Sequence, residues 1–157
     1  MDKKTEKEER YQVEMTKRQV QLLSYACDQF SRLICGQDFA FQDLMESAWE
    51  KRCEEATGNG FDKKWDGGWS DMRKRAEVLC KEIKRMFWGL ERNALFGVGY
   101  DKTSDILYDI HQVFRHQLWL DEPEEDKSRW TVDASDATKF GDEPLVTIKK
   151  VEDGEDS

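Results

Sequence analysis

Apolar side chains return at three- and four-residue steps through Val20, Leu23, Cys27, Phe30 and Ile34, the spacing that lines them along one face of a helix. Thr16 stands just before that stripe with Gln19 three residues on. Such a pair can close a capping box, in which the hydroxyl accepts from the Gln19 backbone N–H and the glutamine side chain reaches back. Gly36 supplies a stop. Phe41, Leu44, Met45, Ala48 and Trp49 predict a second helix. Thr57 to Gly68 is rich in Gly, Asn and Asp and reads as an exposed loop. Ser70 is placed to cap a third helix, with Met72, Ala76, Leu79, Ile83 and Leu90 on its stripe and Phe87 beside it. Gly97 and Gly99 break the periodicity between Asn93 and Tyr100. Thr103 is placed to cap a fourth helix, with Asp105 favourable in its first turn and Leu107, Ile110, Phe114 and Leu118 facing inward.

Three short segments read as extended: Tyr11 to Met15, Trp130 to Val132, and Leu145 to Ile148. The expected fold class is therefore α+β, mainly α, with about four helices and short antiparallel strands at the N- and C-terminal ends. Residues 1–10 form a charged extension, residues 11–120 a helical body, and residues 121–157 an acidic segment.

Composition sharpens this division. The 157 residues carry a formal net charge of -9, which disfavours a long nucleic acid or an anionic membrane as partner. Residues 121–157 hold 13 acids and 5 bases, a net of -8, so the helical body is nearly neutral. Eight Phe, six Trp and four Tyr are too many for a disordered chain. The core they can build is modest, and assembly with copies of itself is one way to bury more surface. No apolar run reaches the ~18 residues of a membrane span, and the charged start is unlike a signal peptide. Cys27, Cys35, Cys53 and Cys80 form no CxxC pair, which fits a reducing, intracellular setting without disulfides.

Catalytic motifs are missing. His111 and His116 lie five residues apart, about 140° around a helix, and cannot chelate one metal from one face. There is no Walker loop, GxSxG, GxGxxG or HExxH. The chain is expected to be no enzyme and to need no cofactor. More informative is the line Tyr108, His111, Arg115 and Trp119, which shares one face of the fourth helix. Rings for stacking and a guanidinium for bidentate phosphate contact suit a nucleotide-like ligand. The same spacing also suits a face packed on another helix, with Arg115 paired to a carboxylate. On the first helix Tyr25, Asp28 and Arg32 share a face, and Asp28 with Arg32 can be a local ion pair. Asn93 opens a glycine-bearing loop that could approach a ligand closely, and Trp88 lies off the third helix's stripe as a candidate stacking surface.

Read together, Ser31-Arg32, Gly36-Gln37, Asn93-Ala94, Gly97-Val98 and Tyr108-Asp-Ile-His-Gln-Val-Phe-Arg115-His116, with Leu118, Trp119 and Glu143 to Ile148, resemble the phage anti-Thoeris sponge family. The resemblance spans roughly residues 12–148. The chain departs from the family pattern at Phe114, where isoleucine is usual, at Asp38, which separates Gln37 from Phe39, and in its short loop after Gly97. It implies a non-enzymatic protein of the host cytoplasm that sequesters a cyclic ADP-ribose isomer, with cyclic di- or trinucleotides taken at a separate site in some members. It also implies helices with small strands and a homo-oligomer built from dimers. By matching positions, Arg32 and Arg115 would grip phosphates, Asn93 would line the nucleotide and Trp88 would stack on the base. With Tyr108, His111 and His116 these make up the expected ligand-binding set. A different reading makes the acidic segment a polyanionic surface that inhibits a host protein by direct binding.

Overall fold

The computed structural model describes residues 11–37, 39–57, 63–91, 94–128 and 130–151. It contains four α-helices, α1 (Lys17–Ile34), α2 (Phe39–Thr57), α3 (Lys63–Trp88) and α4 (Lys102–Leu120), followed by a single 3-10 turn at Val132–Ala134. Helices α1 and α4 pack on each other most extensively, α2 joins α1 to α3, and the 3-10 turn lies against α4.

Local chemistry sets the helix ends. Thr16 and Gln19 form the reciprocal capping box expected of them. At the other end of α1 the Gly36 N–H donates to Leu33 O and the Gln37 N–H to Arg32 O at 2.9 Å. This pair of bonds closes a Schellman turn. Gly36 sits at φ 70, a left-handed conformation that favours glycine, and a Cβ there would meet Leu90 Cδ1 at 2.9 Å, so the end of that side chain would have to shift. The α4 cap is Asp101, whose carboxylate accepts from the Ser104 N–H at 3.0 Å. Thr103 therefore falls within the first turn instead of before it. Helix α3 begins at Lys63 and runs through Gly67 and Gly68, ahead of the predicted start at Ser70. Each helical glycine costs ~1 kcal/mol against alanine, which weakens a helix without forbidding it.

The expected strands are not formed, and the α+β assignment is corrected to a helical fold: among the described residues there is no β-strand. An extended segment becomes a strand only by pairing its backbone with another. Among the described residues none builds a ladder with 11–15, where Tyr11 and Val13 are largely exposed. Trp130 to Val132 turns into the 3-10 segment, where the Ala134 N–H donates to Thr131 O and the Ser135 N–H to Val132 O. Residues 145–148 run as irregular chain.

Side chains of α4 take over the work a ladder would do. The Gln112 amide donates to Thr138 O at 2.9 Å and accepts from the Thr138 N–H at 3.2 Å, much as one strand residue pairs with another. The buried Asp109 carboxylate accepts from the Phe140 N–H at 2.9 Å and the Gly141 N–H at 2.8 Å. His116 Nδ1 donates to Asp133 O at 2.8 Å, and Trp119 Nε1 donates to Ser128 O at 3.1 Å. Asp109, Gln112, His116 and Trp119 thus form a polar strip at helical spacing along which residues 128 and 130–141 lie as a strap.

Candidate functional site

The seam between α1 and α4 is built from small residues. Ser24, Cys27 and Ser31 are buried on α1, whereas Leu23 and Phe30 from the expected stripe are exposed. The stripe is rotated by about one residue, because serine and cysteine let α4 come close enough for direct polar contact. Near the α4 start, the Ser31 hydroxyl donates to Ser104 O at 3.0 Å and the Ser104 hydroxyl donates to Ser31 O at 3.1 Å. Both groups are buried, and this reciprocal exchange satisfies them. Helix α4 buries Phe114 as expected, with Leu107, Ile110 and Leu118 half-buried.

Within one turn of Ser31 on α1 and two turns from Ser104 on α4 lies a charged cluster. Arg32 Nε donates to both carboxylate oxygens of Asp28, at 2.8 and 2.9 Å, and Arg32 Nη1 donates to Gln37 Oε1 at 3.2 Å. His111 Nε2 stands 3.8 Å from Asp28 Oδ1. Its Nδ1 lies 3.1 Å from both the carbonyl oxygen and the hydroxyl of Ser24, donating to the first in one tautomer and accepting from the second in the other. Burial pushes the His111 pKa down, and Arg115 and Arg32 push the same way, against Asp28 and the Ser24 carbonyl. His111 is therefore neutral near pH 7.

Arg115 completes the cluster. Among the described residues its buried Nε has no hydrogen-bond acceptor and the side chain forms no ion pair. It borders an open cleft of about 240 Å³ shared with Gln21, Leu118, Trp119, Thr131 and the carboxylate residues Glu122, Asp126 and Asp133. One wall of that cleft comes from the strap. Tyr108 stands beside the cluster, its ring centroid 6.0 Å from His111 and 5.9 Å from Phe140.

Four of the expected ligand-binding residues, Arg32, Tyr108, His111 and Arg115, are thus brought into one neighbourhood. The other three stand apart or lie outside it. His116 turns toward the strap, with Nε2 3.4 Å from Asp136 Oδ1 and its ring stacked on Trp119 at 5.8 Å. Trp88 donates its indole N–H to Ile34 O at 3.0 Å, fastening the end of α3 to the end of α1. Asn93 lies outside the described residues. Ser24 and Gln37 were not legible as site members, since a lone serine and a glutamine after a helix stop carry no distinguishing pattern. Asp28 was legible only as a local partner of Arg32; its approach to His111 depends on the pairing of two helices 83 residues apart. Among the described residues no three His, Cys, Asp or Glu side chains converge as a metal site would, and no helix is long and apolar enough to cross a membrane.

No protein-family model matches the chain, and no curated protein or solved structure matches it.

Proposed function

We propose that this protein binds a small phosphate-bearing nucleotide of the cyclic ADP-ribose type and sequesters it without breaking a bond, in the cytoplasm of a phage-infected bacterial cell. The observation that carries this reading is the buried Arg115 Nε without an acceptor, set beside Arg32 and a neutral His111. An arginine edge desolvated without a partner costs free energy, and an anionic oxygen placed against it recovers that cost. Asp28 already neutralises Arg32, so Arg115 is the stronger anchor for an incoming phosphate. Tyr108 offers a ring beside the same cluster for a base or ribose face. Glu122, Asp126 and Asp133 line the same cleft and act against any anion there, a long polyanion most of all, so Arg115 has to outweigh them for a phosphate to bind. The likeness of Tyr108 to His116 to the phage anti-Thoeris sponge signature supports cyclic ADP-ribose as the ligand class and suppression of anti-phage signalling as the role.

The test is to mix purified protein with cyclic ADP-ribose isomers, remove free ligand, heat-denature the protein and weigh what is released. Intact ligand from wild type, with at least tenfold less from Arg115→Ala, is the expected result. Recovery of a cleaved product would make the protein an enzyme. Failure to retain any isomer would end this reading.

A further inference from the structure

His111 stands within the charged cluster with an acceptor already in place for each of its ring nitrogens. On one side Nδ1 is 3.1 Å from Ser24 O, which can take a proton donated by the ring. On the other, Nε2 is 3.8 Å from Asp28 Oδ1, within ion-pair range of the carboxylate. The Ser24 hydroxyl, also 3.1 Å from Nδ1, serves the neutral ring by donating to Nδ1 when the proton sits on Nε2. Imidazole and imidazolium therefore both fit the same surroundings, and the charges around the ring decide between them.

Those charges come from two helices. Helix α1 presents Asp28 and Arg32, and α4 presents Arg115 one turn beyond His111. Tyr108, just under a turn before His111 on α4, sets its ring centroid 6.0 Å away. The strap comes near through uncharged Phe140, whose ring lies 5.9 Å from that of Tyr108. Glu122, Asp126 and Asp133 share the cleft with Arg115 and bear on any anion entering it. With a neutral ring, His111 and its three charged neighbours sum to +1, two guanidinium groups against one carboxylate. Asp28 is already engaged by Arg32 through both its oxygens. Burial, joined by Arg115 and Arg32, holds His111 below its ordinary pKa against the pull of Asp28.

An anion placed against Arg115 changes that sum. One negative charge brings it to zero and two bring it to -1, and either offsets the repulsion that disfavours an imidazolium. Resting on the reading of Arg115 as a phosphate anchor, we propose that His111 takes up a proton as the anion binds, so that capture tightens as the solution is acidified. Reciprocity fixes the direction: an anion that favours the protonated ring is itself held more tightly once the proton is on. Affinity climbs as pH falls through the bound-state His111 midpoint and levels off below the free-state midpoint.

NMR titration with calorimetry tests this. The chain has two histidines, His111 and His116, so their ring signals can be followed separately from about pH 8 to pH 5. Sulfate, which keeps its charge over that range, is one probe, and cyclic ADP-ribose, whose diphosphate does likewise, is the other. Saturating anion should raise the His111 midpoint by about one pH unit, and affinity should gain up to about tenfold toward the acid end, since each pH unit is a factor of ten. The His116 midpoint should move less. His111→Gln should reduce the pH dependence of affinity to below about twofold. Without any anion, Arg115→Ala should raise the His111 midpoint by itself, and added sulfate should then move it no further. Capture of cyclic ADP-ribose with an unmoved His111 midpoint overturns the proton coupling and leaves the sponge reading standing. A midpoint raised by sulfate, with no cyclic ADP-ribose retained, keeps the coupling and ends the sponge reading. Binding of neither probe overturns both, and a pH dependence undiminished in His111→Gln overturns the coupling.

Discussion

Asp109→Ala tests how much of the fold depends on the strap. The carboxylate is buried and accepts from two consecutive backbone donors, the Phe140 N–H and the Gly141 N–H, with three contacts between 2.8 and 3.1 Å. Hydrogen bonds to a charged acceptor are worth about 1.5–3 kcal/mol each. The two share one carboxylate and do not add fully, so about 3 kcal/mol is at stake. In a chain of this size 1 kcal/mol shifts Tm by about 2–4 °C, which predicts a fall of about 6–12 °C. A second outcome belongs to the same reasoning. If the strap peels from α4, its amides regain water and the helices lose less stability, but the local protection disappears. Thermal denaturation should therefore be paired with hydrogen exchange read at Phe140 and Gly141. Protection at both amides should drop at least tenfold in Asp109→Ala and less in Asp109→Asn, which keeps one carbonyl acceptor. A Tm within about 1 °C of wild type, together with unchanged exchange at both amides, would refute the strap's dependence on Asp109.

Three further changes probe separate parts of the same frame. Gly141→Ala would put its Cβ 2.9 Å from Ile106 Cγ1 and 3.1 Å from the Ile106 backbone nitrogen; the backbone cannot yield, so a loss of about 1–3 kcal/mol is expected by chemical denaturation. Trp88→Phe keeps a flat ring but removes the donor to Ile34 O, which should cost about 1 kcal/mol and raise exchange at the end of α1. His111 has its folded-state pKa lowered mainly by burial, so the unfolded chain binds the proton more readily. Stability should then fall as pH drops below about 6.5 and toward the lowered folded value. His111→Gln should flatten that dependence in urea titrations at pH 7 and pH 5; an identical slope in the two proteins would remove His111 as its source.

The helices were legible because each carries local signals strong enough to act before tertiary structure. Thr16 with Gln19 and the stop at Gly36 are complete instructions within a few residues. The orientation of those helices was less accessible. On α1, Leu23 and Phe30 outweigh Ser24 and Ser31 in any hydrophobic count, yet the serines face α4 because the partner offers Ser104 and His111 at matching heights. On α3 the apolar stripe was found, but Leu79 and Ile83 on it are exposed. The strands failed for a related reason. Alternation at 130–132 and 145–148 describes what those residues would do beside another strand, and the chain presents α4 side chains instead. In the site, the shared face of Tyr108, His111 and Arg115 was readable from spacing. That Arg32 would join them through Asp28 required knowing which turn of α1 meets which turn of α4.

Helix α4 explains why its own sequence is so polar. Ser104, Asp105, Asp109 and Gln112 are buried along with Phe114, an arrangement a one-sided amphipathic helix would not tolerate. It is tolerated because α4 is covered from two directions, and each cover brings its own partners. Asp105 accepts from the Gly99 N–H at 2.8 Å, Ser104 is met by α1, and Asp109 and Gln112 are met by the strap. Arg115 lies where these two covers diverge, so its guanidinium gains burial from both sides and an acceptor from neither. The unsatisfied edge is a consequence of the architecture and not of local sequence. The strap supplies Thr131 and Asp133 to the cleft at Arg115, so any change that detaches the strap removes a wall of that cleft at the same time.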